Sequence, residues 1–224
     1  TQSEEISSEV PTGSTPTEDP FPQTNPICFA IYDDKNTTLY QHCYFINEEK
    51  TVSIQIISSD FSDFKNESSG GTVYVTNVQL NSICSSFTNC VSTAGSGGAI
   101  YVKNSKNLVN HVSLSNLTFT GCKAAYGGAI YLYSSQETNN FTLNFCTFVL
   151  NQAFNSNKDS FYGGSAVFLT SRQCYVTECK FSKNTGKGAA FKVYLVFDTN
   201  SYLLDENLES NLFMFDCDFE NDYE

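Results

Sequence analysis

The sequence predicts an all-β chain wound as a parallel β-helix, in which short strands form coils that stack on one another. Three observations carry this. A Gly-Gly motif followed by alternating apolar and aromatic residues recurs along the chain. A second motif, apolar-x-apolar-x-x-Cys/apolar-x-Phe, recurs between its copies. After Ile27 there is no proline, and Tyr, Phe, Val, Ile and Thr alternate with Asn, Ser and Gly, a composition of strands and turns.

Residues 1–26 stand apart. They hold all five prolines, Pro11, Pro16, Pro20, Pro22 and Pro26, among Ser, Thr and Glu. Such a segment buries too little apolar surface to order itself and reads as a flexible linker or stalk. Residues 27–224 are assigned to the β-helix, with 27–53 as an irregular N-terminal cap.

The first motif reads Gly-Gly-Thr-Val-Tyr-Val at 70–75, Gly-Gly-Ala-Ile-Tyr-Val at 97–102 and Gly-Gly-Ala-Ile-Tyr-Leu at 127–132. Weaker copies are Gly-Ser-Ala-Val-Phe-Leu at 164–169 and Lys-Gly-Ala-Ala-Phe-Lys at 187–192. The second motif runs through Val112, Leu114, Leu117, Phe119, then Phe141, Leu143, Cys146, Phe148. It continues through Cys174, Val176, Cys179, Phe181 and Leu212, Met214, Cys217, Phe219. Earlier copies are Ile54, Ile56, Ser59, Phe61 and Thr38, Tyr40, Cys43, Phe45. Near residue 80 the pattern slips: Val78, Leu80 and Ile83 fit, but Phe87 arrives late. Three residues after the Phe comes Cys90, Cys122, Asn151 or Asn184.

Each unit spans about 24 to 38 residues and holds three period-2 segments, enough for one triangular coil. A single coil cannot cover its inner face, but a stack can. Period 2 places Val73/Val75, Ile100/Val102 and Ile130/Leu132 on one face, assigned to the core. The Gly pairs fall at a corner where the backbone turns tightly.

Phe119-Thr-Gly-Cys-Lys-Ala-Ala-Tyr-Gly-Gly-Ala-Ile130 resembles the repeat of the chlamydial polymorphic membrane proteins, marked by Phe-x-x-Asn followed by Gly-Gly-Ala-Ile/Leu/Val. Phe148-x-x-Asn151 and Phe181-x-x-Asn184 match the first motif; Gly97–Ile100 and Gly127–Ile130 match the second. The resemblance covers roughly residues 54 to 221. It implies a right-handed single-stranded β-helix of the pectin-lyase-like kind that takes part in adhesion. Cysteine stands for the motif's Asn at positions 90 and 122, and the bacterial family's translocation barrel has no counterpart here.

With the core face so assigned, Tyr74, Tyr101, Tyr131, Phe168 and Phe191 point outward as an aromatic ladder. Such a ladder either grips a sugar chain or partner surface, or only ties neighbouring coils together. Asn151 and Asn184 read as turn residues bonding the coils above and below. Cys146, Cys179 and Cys217 share one slot and are expected to face inward. Cys90 and Cys122 share another. A disulfide between them at a surface turn is one reading; separate thiols, or a Cys84–Cys90 pair, are the others.

Nine cysteines and the sequons at Asn36, Asn66, Asn116 and Asn140 point to an oxidising, secretory context with N-linked sugar, hence an extracellular or cell-surface location. A chain beginning at Thr1 is expected to be processed or a fragment. No apolar run approaches the length of a membrane span, so contact with a membrane is expected only through regions outside this chain. The net charge is −12, with 24 Asp and Glu against 12 Lys and Arg, which argues against nucleic acid as a partner.

Enzyme chemistry is not legible. Arg172 is the single arginine, and Asp60, Asp63, Asp159, Asp198 and Asp216 do not recur at one repeat position. His42 and His111 are isolated, and Cys-x-x-Cys metal spacing is absent. The expectation is a non-enzymatic surface module of adhesin type, without cofactor or metal, that attaches to a host or cell-surface protein or glycan. The alternatives are a carbohydrate-active β-helix enzyme and a structural stalk spacer.

Overall fold

The computed structural model describes residues 43–46, 53–105, 110–134, 139–154, 163–171, 173–186, 190–195 and 211–220. The expected stalk, residues 1–26, lies outside these. So do Asn36, His42, Asp159, Arg172 and Asp198.

Strand β1 (Cys43–Ile46) is followed by coils of four strands. The first coil holds β2 (Ser53–Ile57), β3 (Asp60–Ser62), β4 (Lys65–Asn66) and β5 (Val73–Thr76). The second holds β6 (Gln79–Ile83), β7 (Ser86–Thr88), β8 (Val91–Ser92) and β9 (Ile100–Asn104). The third holds β10 (Val112–Ser115), β11 (Thr118–Thr120), β12 (Lys123–Ala124) and β13 (Ile130–Ser134). The fourth holds β14 (Asn140–Asn144), β15 (Thr147–Val149), β16 (Gln152–Ala153) and β17 (Val167–Ser171). The fifth holds β18 (Gln173–Thr177), β19 (Lys180–Ser182), β20 (Thr185–Gly186) and β21 (Phe191–Leu195). Strands β22 (Asn211–Phe215) and β23 (Asp218–Glu220) follow.

Each strand pairs in parallel with its equivalents in the coils before and after, giving four sheets that run along the stack. The first is β1-β5-β9-β13-β17-β21 and the second β2-β6-β10-β14-β18-β22. The third is β3-β7-β11-β15-β19-β23 and the fourth β4-β8-β12-β16-β20. This is the parallel β-solenoid that the repeat predicts, with no helix among the described residues. Its coils carry four strands rather than three. The fourth is only two residues long, too short to announce itself by alternation.

The inward face is as the period-2 reading assigns it. Val73, Val75, Ile100, Val102, Ile130 and Leu132 are all buried. The repeat phenylalanines form a continuous stack, buried from Phe61 to Phe181 and half exposed at Phe219. Phe61, Phe87, Phe119, Phe148, Phe181 and Phe219 lie ring over ring with centroids 4.7 to 4.9 Å apart. That is the spacing of hydrogen-bonded strands.

Two readings of register need correction. Phe87 is not displaced: Ile54, Ile56 and Phe61 pair with Leu80, Ser82 and Phe87. Ser82 and Ser85 occupy slots that are apolar in other coils, and this disguised an uninterrupted pattern. Ser85 suits its slot, because its hydroxyl donates to the Ile83 carbonyl at 3.1 Å and accepts from the Ser59 N–H at 3.1 Å. Second, Cys43 and Phe45 pair with Val73 and Val75. They continue the first sheet and are not a copy of the Cys146–Phe148 segment.

The two glycines of each pair are needed for different reasons. Gly97 and Gly127 have φ of 67° and 56°, the left-handed region. Gly98 and Gly128 are pressed against the next coil: a Cβ on Gly128 would lie 2.1 Å from the Ser165 carbonyl oxygen.

Candidate functional site

Three features bring chemistry-bearing side chains together, the aromatic ladder, a column of asparagine and cysteine and a second cysteine column, and one coil carries exposed apolar residues at successive corners, an apolar ridge.

In the ladder, Tyr74, Tyr101, Tyr131 and Phe168 stack with centroids 4.9, 5.1 and 4.9 Å apart. The tyrosines are half-buried, and Phe168 is fully buried rather than outward and accessible. Phe191 does not belong to the ladder. The Ala166 N–H donates to the Ala190 carbonyl, so Val167 pairs with Phe191 and Phe168 with Lys192. A one-residue slip transfers a side chain to the opposite face. The Phe191 ring instead meets Phe181 edge-on at 5.8 Å. Within the ladder each ring face is covered by the next ring, so an approaching molecule meets mainly edges and hydroxyls. Burial also pushes the Tyr101 phenol up to about 12, helped by Tyr74 and Tyr133.

The asparagine and cysteine column is buried throughout. Asn151 Nδ2 donates to the Phe119 carbonyl and Asn184 Nδ2 to that of Phe148, both at 3.0 Å. The Cys122 N–H donates to Asn151 Oδ1 at 2.9 Å, and the Asn151 N–H to Asn184 Oδ1 at 3.0 Å. The cysteine thiols make the equivalent reach: Cys122 Sγ is 3.5 Å from the Phe87 carbonyl and Cys90 Sγ 3.8 Å from that of Phe61. Cys90 and Cys122 are therefore register neighbours, as their spacing suggested. Both are buried with no exposed surface, however, rather than at a surface turn, and no bond joins them in the structure. Burial pushes the Cys122 thiol well up. The hydrogen bonds down the stack draw this corner inward.

Cys146, Cys179 and Cys217 form the second column. The first two are buried and Cys217 is partly exposed. Cys84 is an exposed free thiol, 3.2 Å from Asn116 Nδ2.

The ridge was not legible in the repeat. Phe145, Leu150 and Phe154 are 53%, 54% and 43% exposed and lie along one coil, around β15 and β16. Phe145 and Leu150 have φ of 54° and 59°. Equivalent corners carry Ser58, Cys84, Asn116, Glu178 and Asp216, or Asp63, Asn89 and Lys183, all with positive φ as well. Asn and Asp tolerate this conformation; Phe and Leu rarely adopt it. Aligning the residue just before each repeat Cys or Asn would have revealed the substitution of apolar for polar.

Of the sequons, Asn116 is exposed at a corner, while Asn66 and Asn140 are half-buried within strands. His111 Nδ1 accepts from the Asn140 N–H at 3.1 Å. A cavity of about 10 Å³ lies between the first and second sheets, beside Asn104, Asn110 and Asn139. Both side-chain polar atoms of Asn110 are buried there without a protein partner, and the space fits one water.

No protein-family model matches the chain, and neither a curated protein nor a solved structure matches it at a significant level.

Proposed function

We propose that the chain is a non-enzymatic extracellular module of adhesin type, built as a right-handed β-helix, that attaches to a host or cell-surface protein. The apolar ridge carries this reading. Phe145 and Leu150 sit in a backbone conformation that costs bulky side chains about 1–3 kcal/mol each, and they gain little burial in return. The positive φ is common to these corners, but among the described residues only this coil places large apolar side chains on it, and exposed aromatics are common anchors of interfaces. The sequons, with Asn116 exposed at a corner, support a secreted setting. The ladder favours a structural role over a sugar-gripping one, because a sugar needs an open ring face.

The enzyme alternative draws less support. Asp63 and Asp216 lie at different corners, Asp63 after β3 and Asp216 between β22 and β23, in coils far apart along the stack.

The test is a cell-binding and glycan screen with the folded chain and a Phe145→Ser, Leu150→Asn, Phe154→Ser variant. Binding to cells that protease treatment of the cells abolishes, and that the variant loses, is the expected result. Binding that the variant retains would move the site elsewhere, and turnover of a polysaccharide would restore the enzyme reading.

A further inference from the structure

The cysteine column runs from a partly exposed thiol to two buried ones. Cys146, Cys179 and Cys217 each directly precede a paired residue: Thr147 pairs with Lys180, and Lys180 with Asp218. The three cysteines are therefore register equivalents in successive coils, about 4.8 Å apart, within the Cα range a disulfide accepts. Their thiols also point the same way. Cys146 Sγ lies 3.5 Å from the Leu114 carbonyl, Cys179 Sγ 3.6 Å from that of Leu143, and Cys217 Sγ 3.7 Å from that of Val176. Those carbonyls are themselves register equivalents. The sulfurs thus form a file along the axis of the stack.

Thiol–disulfide exchange proceeds by attack of a thiolate on a disulfide sulfur, with the leaving sulfur expelled from the far side. A file of three sulfurs offers that in-line arrangement. We propose that Cys217, Cys179 and Cys146 form an inward relay that carries oxidation by a low-molecular-weight disulfide from the end of the described stack to a buried Cys146–Cys179 bond.

The Cys217 thiolate attacks the small disulfide, forming a mixed disulfide and releasing one small thiolate. The Cys179 thiolate attacks Cys217 Sγ and expels the second small thiolate, giving Cys179–Cys217. The Cys146 thiolate then attacks Cys179 Sγ and expels Cys217 as a thiolate, which takes a proton from water. The net result is two protein thiols oxidised and one small disulfide reduced to two thiols. The bond rests at Cys146–Cys179 because this returns the leaving thiolate to the partly hydrated position.

Cys90, Cys122 and Cys174 serve as internal controls. All three are buried, and their columns offer no exposed cysteine among the described residues through which exchange could enter.

The experiment treats the reduced, folded full chain with oxidised glutathione, quenches it with acid at intervals and maps the disulfides by mass spectrometry. Expected are transient glutathione on Cys217, then Cys146–Cys179 with Cys217 free again, while Cys90, Cys122 and Cys174 remain thiols. Cys217→Ser slows formation of the bond about tenfold or more by removing the entry thiol. Cys146→Ser halts the process at Cys179–Cys217. Alkylating Cys217 on the folded wild-type chain repeats the block without a substitution. A persistent mixed disulfide at Cys217 with no internal bond would overturn the relay, as would oxidation of Cys146–Cys179 at the normal rate once Cys217 is blocked.

Discussion

Asn151 Nδ2 donates to the carbonyl of Phe119, 32 residues earlier and one coil away, at a distance of 3.0 Å. Its Oδ1 meanwhile accepts from the Cys122 N–H. One buried side chain thus bonds a carbonyl within strand β11 and the N–H of Cys122, which lies outside the strands. Asn151→Leu leaves the buried Cys122 N–H without this partner and should cost about 1–3 kcal/mol. Asn151→Cys keeps a donor able to reach the carbonyl, as Cys122 does toward Phe87, and should cost less. Urea titration of the two variants checks the order. Equal losses would mean that packing, not the hydrogen bond, matters here.

Gly128→Ala tests the close approach of coils at the Gly pair. Its Cβ would stand 2.1 Å from the Ser165 carbonyl oxygen and 2.7 Å from backbone atoms of Gln152. Backbone on both sides cannot yield cheaply. A loss of about 3 kcal/mol or more is expected, seen as a large fall in the thermal midpoint.

Leu150→Asn should move stability the other way. The position has φ of 59° and the Leu side chain is more than half exposed. Asn relieves the strain and gives up little buried area, so a gain of about 0.5–1 kcal/mol is expected in denaturant titration. The same variant should weaken cell attachment. Greater stability together with weaker binding is the pattern of a residue kept for contact.

Alkaline pH tests the tyrosine ladder. Burial raises the Tyr101 phenol from its ordinary 10.0 to about 12 in the folded chain. The folded state therefore holds this proton where the unfolded chain releases it. The associated stability is fully present below pH 10 and is lost as pH rises through about 12. Absorbance titration near 295 nm should show a late-ionising tyrosine that Tyr101→Phe removes. The variant should also lose less stability between pH 10 and 12 than the wild-type chain.

Much of this was legible because alternation within a strand is a local property. Ile100 and Val102 flank Tyr101, and that spacing alone places them on one face. The repeat phenylalanines and Asn151 were legible as columns for the same reason. Phe87 was misread because Ser82 and Ser85 took slots that other coils fill with apolar residues. Phe191 was misplaced because Ala189 and Ala190 allow either of two registers, and only the pairing of Ala190 with Ala166 selects one.

The sequence by itself determined that the repeats form a parallel β-solenoid and which residues of its regular strands, such as Ile100 and Val102, face the core. A repeated period-2 segment can bury its apolar face only by stacking on its own copies. The tertiary structure decided what happens at the corners. There it buries Cys90 and Cys122 and leaves Phe145 and Leu150 exposed on a strained backbone. The physical reason is that no alternation runs through a corner. Whether a corner side chain points inward depends on the φ at that residue and on hydrogen bonds to a coil some 26 to 36 residues away, which local pattern does not encode.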